Sequence, residues 1–200
     1  MPATPILSGR FVDLRPLVVE DAAITVGWRL GRRARLLNQG AADLDQQARW
    51  IESRPADEHN FIIALKDGRA VGMLSLIGID PVNRHAEPGR FLIGEEEAVR
   101  GFPAAVEAMS LLYAFAFDDL GLVRVWGLVA EDNKRMLKWQ KYLGMREEGR
   151  LRRHYFIDGR IQDAIVLGLL DDEYRAVTLP KMEALIALGG SAAENQGVTE

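Results

Sequence analysis

The segment that most constrains the fold of this chain is an apolar strand joined through a glycine turn to a long amphipathic helix. The run from Arg90 to Gly94 predicts a buried strand, and apolar residues recur at helical spacing from Val106 to Phe117. A helix that begins in such a turn directs unpaired N–H groups and the positive end of its dipole into the turn. The segment therefore predicts a cradle for an anion such as a diphosphate, with Arg100 at its entrance. The same arrangement is also common in α/β domains that bind no anion.

Composition limits the classes of protein to consider. A chain of 200 residues with 48% hydrophobic content fits one globular domain with a sizeable core. The formal net charge of −4 argues against a general nucleic-acid binder, and the lack of cysteine excludes disulfides and thiolate metal sites. No apolar run is long enough to cross a bilayer, and the first residues lack the pattern of a signal peptide. We therefore expect a cytoplasmic protein without a metal, nucleic-acid or membrane partner.

Hydrophobic periodicity and turn residues predict a mixed α/β chain. The clearest local signal is a hairpin of residues 61–65 and 70–77 about a glycine turn. A loop is predicted over residues 80–89, where turn-forming residues are concentrated. The other predicted elements are a strand at 11–17, helices at 21–30, 43–53 and 103–119, a strand at 122–129, a helix capped by Asp132 or Asn133 and ended by Gly144, and two strands flanking Asp158-Gly159.

The chain shows no internal repeat, and we predict one domain over residues 1–188. The residues that follow, 189–200, are mostly small and polar. Such a composition buries little apolar surface, so it predicts a disordered C-terminal tail.

The order of these elements resembles the GCN5-related N-acetyltransferase (GNAT) superfamily over residues 9–175. It is most similar to the branch of ribosomal-protein N-terminal acetyltransferases and acetyltransferases of nucleotide-linked amino sugars. The resemblance implies an α/β (α+β) fold with a central, mostly antiparallel, twisted sheet of six to seven strands flanked by helices. The motifs that carry it are Leu14-Arg15-Pro16-Leu17 with Asp21, Trp28-Arg29, Trp50, Ile79-Asp80 with Asn83-Arg84, Ala86-Glu87, Tyr113-Ala114-Phe115, Leu120-Gly121-Leu122, Asn133, and the block from Lys141-Tyr142-Leu143-Gly144-Met145 to Asp163.

The family resemblance implies acetyl-CoA as the acetyl donor and an amine as the acceptor. The residues that would bind the donor are Ile93, Gly94, Glu95, Val99, Arg100, Gly101, Phe102, Pro103, Ala104, Ala105 and Asn133. Pro103 and Ala105 stand where the family usually has glycine. Because proline has no N–H, we predict the loss of one hydrogen bond to the diphosphate, worth on the order of 1 kcal/mol.

Three residues are candidates for the chemistry: Glu95, Glu87 and Asn133. An N–H group around Ile93 to Glu95 would polarise the thioester carbonyl, and a carboxylate or histidine would take the proton of the amine. Glu95 lies at the end of the donor strand, although its acidic run is also typical of a solvated surface. Glu87 matches a glutamate of the family. Asn133 matches a family asparagine that contacts the pantetheine arm or an ordered water. Alternatively, Asn133 is only the N-cap of its helix.

The family often places a tyrosine acid four residues before the glycine that ends this helix. Gln140 occupies that position here, and Tyr142 lies about 200° around the helix from it. We therefore predict that Tyr142 is a packing residue and that no tyrosine delivers a proton from this helix.

The acceptor site is predicted from a basic cluster beside an aromatic residue. The candidate residues are Trp28, Arg29, Arg32 and His154, which suit a nucleotide diphosphate with a base to stack upon. Alternatively, Trp28 belongs to the core and the arginines lie on a solvated face. The predicted acceptor is a small primary amine, most favourably a nucleotide-linked amino sugar. A protein N-terminus and a non-catalytic acyl-CoA-binding module are the alternatives, and homodimerisation is left open.

Overall fold

The computed structural model describes residues 3–37 and 40–196, with the side chains of the last helix described as far as residue 189. The strands are β1 (Leu7–Ser8), β2 (Val12–Pro16), β3 (His59–Leu65), β4 (Ala70–Asp80), β5 (His85–Ile93), β6 (Arg124–Ala130), β7 (Arg146–Ile157) and β8 (Arg160–Leu170). The helices are α1 (Ala22–Leu30), α2 (Leu44–Glu52), α3 (Ala104–Ala114), α4 (Lys134–Tyr142), α5 (Asp171–Glu173) and α6 (Leu179–Gln196). π-Helical turns extend α3 over Phe115–Asp119 and join α5 to α6 over Tyr174–Thr178.

The strands form one sheet in the order β1-β2-β3-β4-β5-β6-β8-β7. Every neighbouring pair is antiparallel except β5 and β6, so the predicted mostly antiparallel sheet and α/β class are confirmed. The predicted number of six to seven strands is too low, because the sheet has eight. The additional strand is β1, whose two residues pair with Leu14 and Asp13 and are too few to give a periodic pattern.

The loop predicted over residues 80–89 is wrong from His85 onward, where β5 begins. Pro88 and Gly89, which indicate a turn in the sequence, pair with Leu76 and Ser75 of β4. The ladder shifts its register here, and Arg90 has a φ of +54°. Together these features mark a β-bulge. Bulged strands accommodate the residues that normally end a strand.

Two apolar clusters lie on opposite faces of the sheet. Met109, Leu112 and Tyr113 of α3 belong to the larger cluster, which also includes residues of α4 and α6. Trp28 of α1 and Ile51 of α2 belong to the smaller one. The central strand β3 contributes to both, which explains its continuous apolar sequence. The sheet therefore separates an α3–α4–α6 layer from an α1–α2 layer.

The C-terminal helix α6 is a feature that sequence reasoning missed. It continues to Gln196, into the stretch 189–200 for which the sequence predicts a disordered tail, and residues 197–200 lie outside the described residues. Alanine, glutamate and glutamine in this stretch favour a helix once Met182 and Leu185 anchor it in the core. A Cβ built on Gly189 would lie 2.8 Å from the Pro103 ring, so α6 closely approaches the start of α3.

Candidate active site

The separation of β5 from β6 creates the main cavity. The two strands pair at only two positions, His85 with Arg124 and Ala86 with Val125. Beyond them the strands diverge, and a cavity of about 450 Å³ opens between them. Its wall includes residues 87–91 of β5, residues 128–130 of β6, part of α4 and the α1–α2 layer. An extended molecule can therefore enter between the strands and meet a second one from the opposite face.

Glu87 lies at the point where the strands begin to diverge. Leu128 has no strand partner on this side, and its N–H donates to the Glu87 carboxylate. Burial raises the pKa of Glu87, and this exceeds the opposing effects of the Leu128 N–H and the charge of Arg90. A carboxylate with a raised pKa inside a cavity is a good proton acceptor for an amine.

Glu95 is outside the cavity, in contrast to its prediction as a general base. It is exposed, and its carboxylate accepts a hydrogen bond from Trp28 Nε1 at 2.9 Å. Trp28 is only 7% exposed and packs in the smaller core cluster, so its predicted contact with substrate is wrong. The indole also lies against Gly94, where any side chain would collide with it. Glu95 and Gly94 thus hold a core tryptophan rather than a reacting group.

Of the three N–H groups predicted around Ile93 to Glu95, that of Ile93 faces the gap and those of Gly94 and Glu95 do not. The N–H groups of Gly94 and Glu95 both donate to Val71 O, at 2.8 and 3.0 Å. Ile93 faces Gly72 between these bonds, so its N–H points into the gap. Six residues of strand separate Glu87 from Ile93, roughly 20 Å. Phe91, beside the bulge, also lines the cavity and lies nearer to Glu87 along the strand.

The glycine turn closes directly before the start of α3. Gly101 adopts a φ of +83°, and Phe102 N–H donates to Val99 O at 3.0 Å, which closes the turn. Pro103 is the N-cap of α3, one residue before the predicted position, and Ala104 and Ala105 begin the helix. Their N–H groups belong to the first helical turn and have no partner within the helix. Residues 101–105 of the predicted donor site thus form one continuous turn and helix start.

α4 brings Asn133 and Gln140 to the cavity wall, two helical turns apart. Asn133 is the N-cap, and its side chain accepts the Met136 N–H at 3.2 Å. Gln140 is 7% exposed, with the Tyr113 hydroxyl 3.4 Å from its Oε1 atom. Tyr142 is half exposed beneath the Lys181 ammonium group and does not line the cavity.

Two arginines line the cavity on the side of the α1–α2 layer. Arg29 and Arg90 both line it, and burial and then the charge of Arg90 lower the pKa of Arg29. Arg90 donates to Glu58 at 2.8 Å and lies over the Trp50 ring, 5.0 Å from its centroid. Sequence reasoning missed Arg90, because its direction depends on the bulge in β5. It used Trp50 only as part of the family pattern.

Two predicted acceptor residues do not reach the cavity. Arg32 lies in a short exposed turn after α1, and His154 is exposed on β7 with its ring against Tyr155. Tyr155 lines the cavity in place of His154. A second cavity of about 400 Å³ adjoins the first, and both are bordered by Arg29 and Tyr155. No sequence signal distinguished Tyr155 from its neighbour.

Two classes of site are absent from the part of the chain that the structure describes. No group of three His, Cys, Asp or Glu side chains in that part could hold a metal ion. No helix in the same ranges is long and apolar enough to cross a membrane.

Comparisons with known proteins agree with this geometry. A family model described as an acetyltransferase (GNAT) domain matches residues 12–146. The chain is 29% identical over 119 residues to spermidine N(1)-acetyltransferase of Escherichia coli (strain K12), covering 60% of this chain and 62% of that protein, less than two thirds of its length. It is 31% identical over 171 residues to the uncharacterized N-acetyltransferase p20 of Bacillus licheniformis, covering 82% and 94% of the two chains.

A solved structure shows the same fold over most of the chain. A GCN5-related N-acetyltransferase from Brucella melitensis superposes with a TM-score of 0.77 at 27% identity, covering 92% of this chain and 86% of that chain. The fold and the diverging strands define an acyltransferase domain. The chain belongs to the acetyltransferase (GNAT) family.

Proposed function

We propose that this protein transfers an acetyl group from acetyl-CoA directly to the primary amine of a small acceptor. The observation that carries the proposal is Glu87, a carboxylate of raised pKa at the point where β5 and β6 diverge. It faces a cavity that the donor can enter from the α3–α4 layer and the acceptor from the α1–α2 layer. A base at that meeting point is what N-acetylation requires, because only a neutral amine is nucleophilic.

The donor side of the site suits a nucleotide thioester. The turn and first helical residues 101–105 would hold its diphosphate, and the N–H of Ile93 would bind an amide of its pantetheine arm. The N–H of Phe91 would polarise the thioester carbonyl, and Asn133 would contact the arm from α4. Among residues 101–105, Pro103 has no N–H group to donate to the diphosphate.

The proton balance follows from the position of Glu87. The acceptor binds as an ammonium ion, and Glu87 takes one proton from it, directly or through a water molecule. The neutral amine attacks the thioester carbonyl of acetyl-CoA, so that an N–C bond forms and the C–S bond breaks. The nitrogen loses a second proton, which reaches the leaving thiolate directly or through water, and CoA leaves as the thiol. Leu128 N–H stabilises the ionised form of Glu87, whereas burial favours its protonated form. The carboxylate is therefore poised to accept a proton and to release it to solvent.

The acceptor we propose is a nucleotide-linked amino sugar. Arg29 and Arg90 line the cavity together with Glu87, and Arg90 also pairs with Glu58. A guanidinium group in the wall can form charged hydrogen bonds to a phosphate of the acceptor, while Glu87 faces its ammonium group. Trp50, beneath Arg90, replaces Trp28 as the aromatic surface available to a base.

Steady-state kinetics with three probe amines test this proposal. The probes are a uridine-diphosphate-linked 4-amino sugar, spermidine and a peptide with a free N-terminus. We expect the highest kcat/KM with the amino sugar. Arg29→Gln should raise its KM by roughly 10- to 100-fold, since a charged contact is worth roughly 1.5–3 kcal/mol, and leave the affinity for acetyl-CoA unchanged.

The control variant is Arg32→Gln, which changes an exposed arginine outside the cavity. A preference for spermidine would contradict the acceptor class, and a preference for the peptide would favour protein modification. Binding of acetyl-CoA without turnover of any probe would identify a non-catalytic acyl-CoA-binding module.

A further inference from the structure

Tyr155 is a cavity residue that neither the family resemblance nor the proposed mechanism uses. It contributes the only hydroxyl group among the described residues that line the main cavity. It also borders the adjoining cavity, so it lies on the path between the two. A polar side chain in that position meets any acceptor that extends through both cavities.

A bulge in β7 delivers Tyr155 to this position. Between Leu151 and Tyr155 the strand advances four residues, while its partner β8 advances only two, from Ala164 to Gln162. Arg153 has a φ of +55° in this bulge, and its N–H donates to Asp163 Oδ1 at 2.8 Å. The two extra residues place Tyr155 opposite Gln162, where an unbulged strand would place Arg153, and the Asp163 carboxylate accepts a hydrogen bond from the bulge.

Tyr155 and Glu87 approach the same backbone unit from two sides. The Tyr155 hydroxyl donates to Leu128 O at 3.4 Å, and the Leu128 N–H donates to the Glu87 carboxylate. Burial, and then the charge of Glu87, raise the pKa of Tyr155, so its hydroxyl remains protonated at neutral pH. A protonated phenol can donate to Leu128 O and at the same time accept a hydrogen bond from a ligand.

We propose that Tyr155, Leu128 O and Glu87 form a three-acceptor cradle for the ammonium group of the acceptor. A primary ammonium ion has three N–H groups, and this part of the wall offers a phenol oxygen, a carbonyl oxygen and a carboxylate. When Glu87 has taken one proton, Tyr155 and Leu128 O still hold the two remaining N–H groups and keep the lone pair directed away from them. Tyr155 is in this sense a substrate-binding and positioning residue, and no bond to it is made or broken. The inference rests on the proposed function, because it assigns the amine end of the same site.

The test is Tyr155→Phe, measured with the three probe amines of the preceding experiment. We expect the KM of the best probe to rise about five- to tenfold, with the KM of acetyl-CoA unchanged. Tyr142→Phe removes an exposed hydroxyl outside the cavity and is the matched control. Melting temperature and acetyl-CoA affinity of the variant check that the fold is intact.

A second readout separates hydrogen bonding from packing. N-Methylation of the best probe removes one N–H group, and we expect it to raise KM about fivefold in the wild type and less than twofold in Tyr155→Phe. A purely structural role of Tyr155 would give equal effects of methylation in both proteins. Asp163→Ala, which releases the bulge but retains the hydroxyl, should also raise the acceptor KM and keeps the test informative if Tyr155→Phe does not fold.

The outcomes distinguish the two proposals. Acetylation of no probe by the wild-type protein overturns the proposed function. Acetylation with equal KM values in the wild type and Tyr155→Phe, or an equal effect of methylation in both, overturns only the assignment of Tyr155.

Discussion

The proposed donor half and the proposed acceptor half of the site are built in different ways. The donor half is a continuous stretch of chain, from the end of β5 through the glycine turn to the start of α3, and it acts mainly through backbone N–H groups. The acceptor half combines side chains from α1, the bulge of β5 and the bulge of β7, which lie far apart in sequence. A local backbone site tolerates sequence change, whereas an assembled side-chain site depends on the register of each strand.

The two halves also differ in charge and in how their polar groups are satisfied. Near the donor turn, Arg100 is exposed and pairs with Glu97 at 2.6 Å, so it adds little to the site beyond the backbone. In the acceptor half, Arg29 and Arg90 are partly buried and line the cavity. Substitutions in the acceptor half should therefore change catalysis and acceptor binding, and those in the donor half should change stability and donor affinity.

The largest effect is expected where the two halves meet. Glu87→Gln should lower kcat/KM by about 10²- to 10⁴-fold, because the amine loses its proton acceptor. Glu95→Gln, the other glutamate predicted from sequence, should retain activity within about twofold because its carboxylate contacts Trp28 and not the cavity. Loss of activity in Glu95→Gln but not in Glu87→Gln would reverse the assignment of the base.

The pH dependence of the wild type provides an independent check on Glu87. The base acts when ionised, and burial raises its pKa above the ordinary value of 4.5. The acidic limb of kcat/KM should therefore have its midpoint above 4.5, with activity rising as the pH increases through that pKa. A raised carboxyl pKa in the folded state also makes ionisation destabilising, so stability falls as the pH rises through it. Glu87→Gln should consequently melt no lower than the wild type at neutral pH.

A smaller effect, on stability alone, is expected for the contact that holds α3 to the sheet. Glu107 of α3 is 4% exposed, and its carboxylate accepts the N–H groups of Arg10, Phe11 and Val12 at 2.7, 2.7 and 2.8 Å. Glu107→Gln keeps one acceptor oxygen and loses the charge, so urea unfolding should show a loss of about 2–3 kcal/mol. Glu97→Gln, at an exposed position, should change stability by less than about 0.5 kcal/mol. Equal stability of both variants would show that this carboxylate does not hold α3 to the sheet.

The smallest effect concerns the missing donor of the glycine turn. Pro103→Gly supplies an N–H, and calorimetry should show about fivefold tighter acetyl-CoA binding, corresponding to roughly 1 kcal/mol. Ala105→Gly is the control, because Ala105 already has an N–H, and its affinity should not increase. Unchanged or weaker binding by Pro103→Gly would indicate that packing of the proline ring on Gly189 matters more than the hydrogen bond.

Elements with strong local periodicity were predictable, and bulged or short ones were not. The hairpin of β3 and β4, the helix α2 capped by Asp43 and the helix α4 capped by Asn133 follow directly from spacing and caps. β5 was predicted to begin too late because Pro88 and Gly89 indicate a turn, and only pairing with β4 keeps them in a strand. α6 was missed because its anchoring contacts come from another part of the chain.

The sequence by itself determined the order of elements, the glycine turn at the start of α3 and the pair of glutamates from which the base is proposed. Each of these depends on neighbours within a few residues, through turn conformation, capping and hydrophobic spacing. The tertiary structure decided between Glu87 and Glu95, buried Trp28, and exchanged His154 for Tyr155 at the cavity. The physical reason is that burial of a side chain and the register of a strand depend on contacts between segments far apart in the chain, which local spacing does not specify.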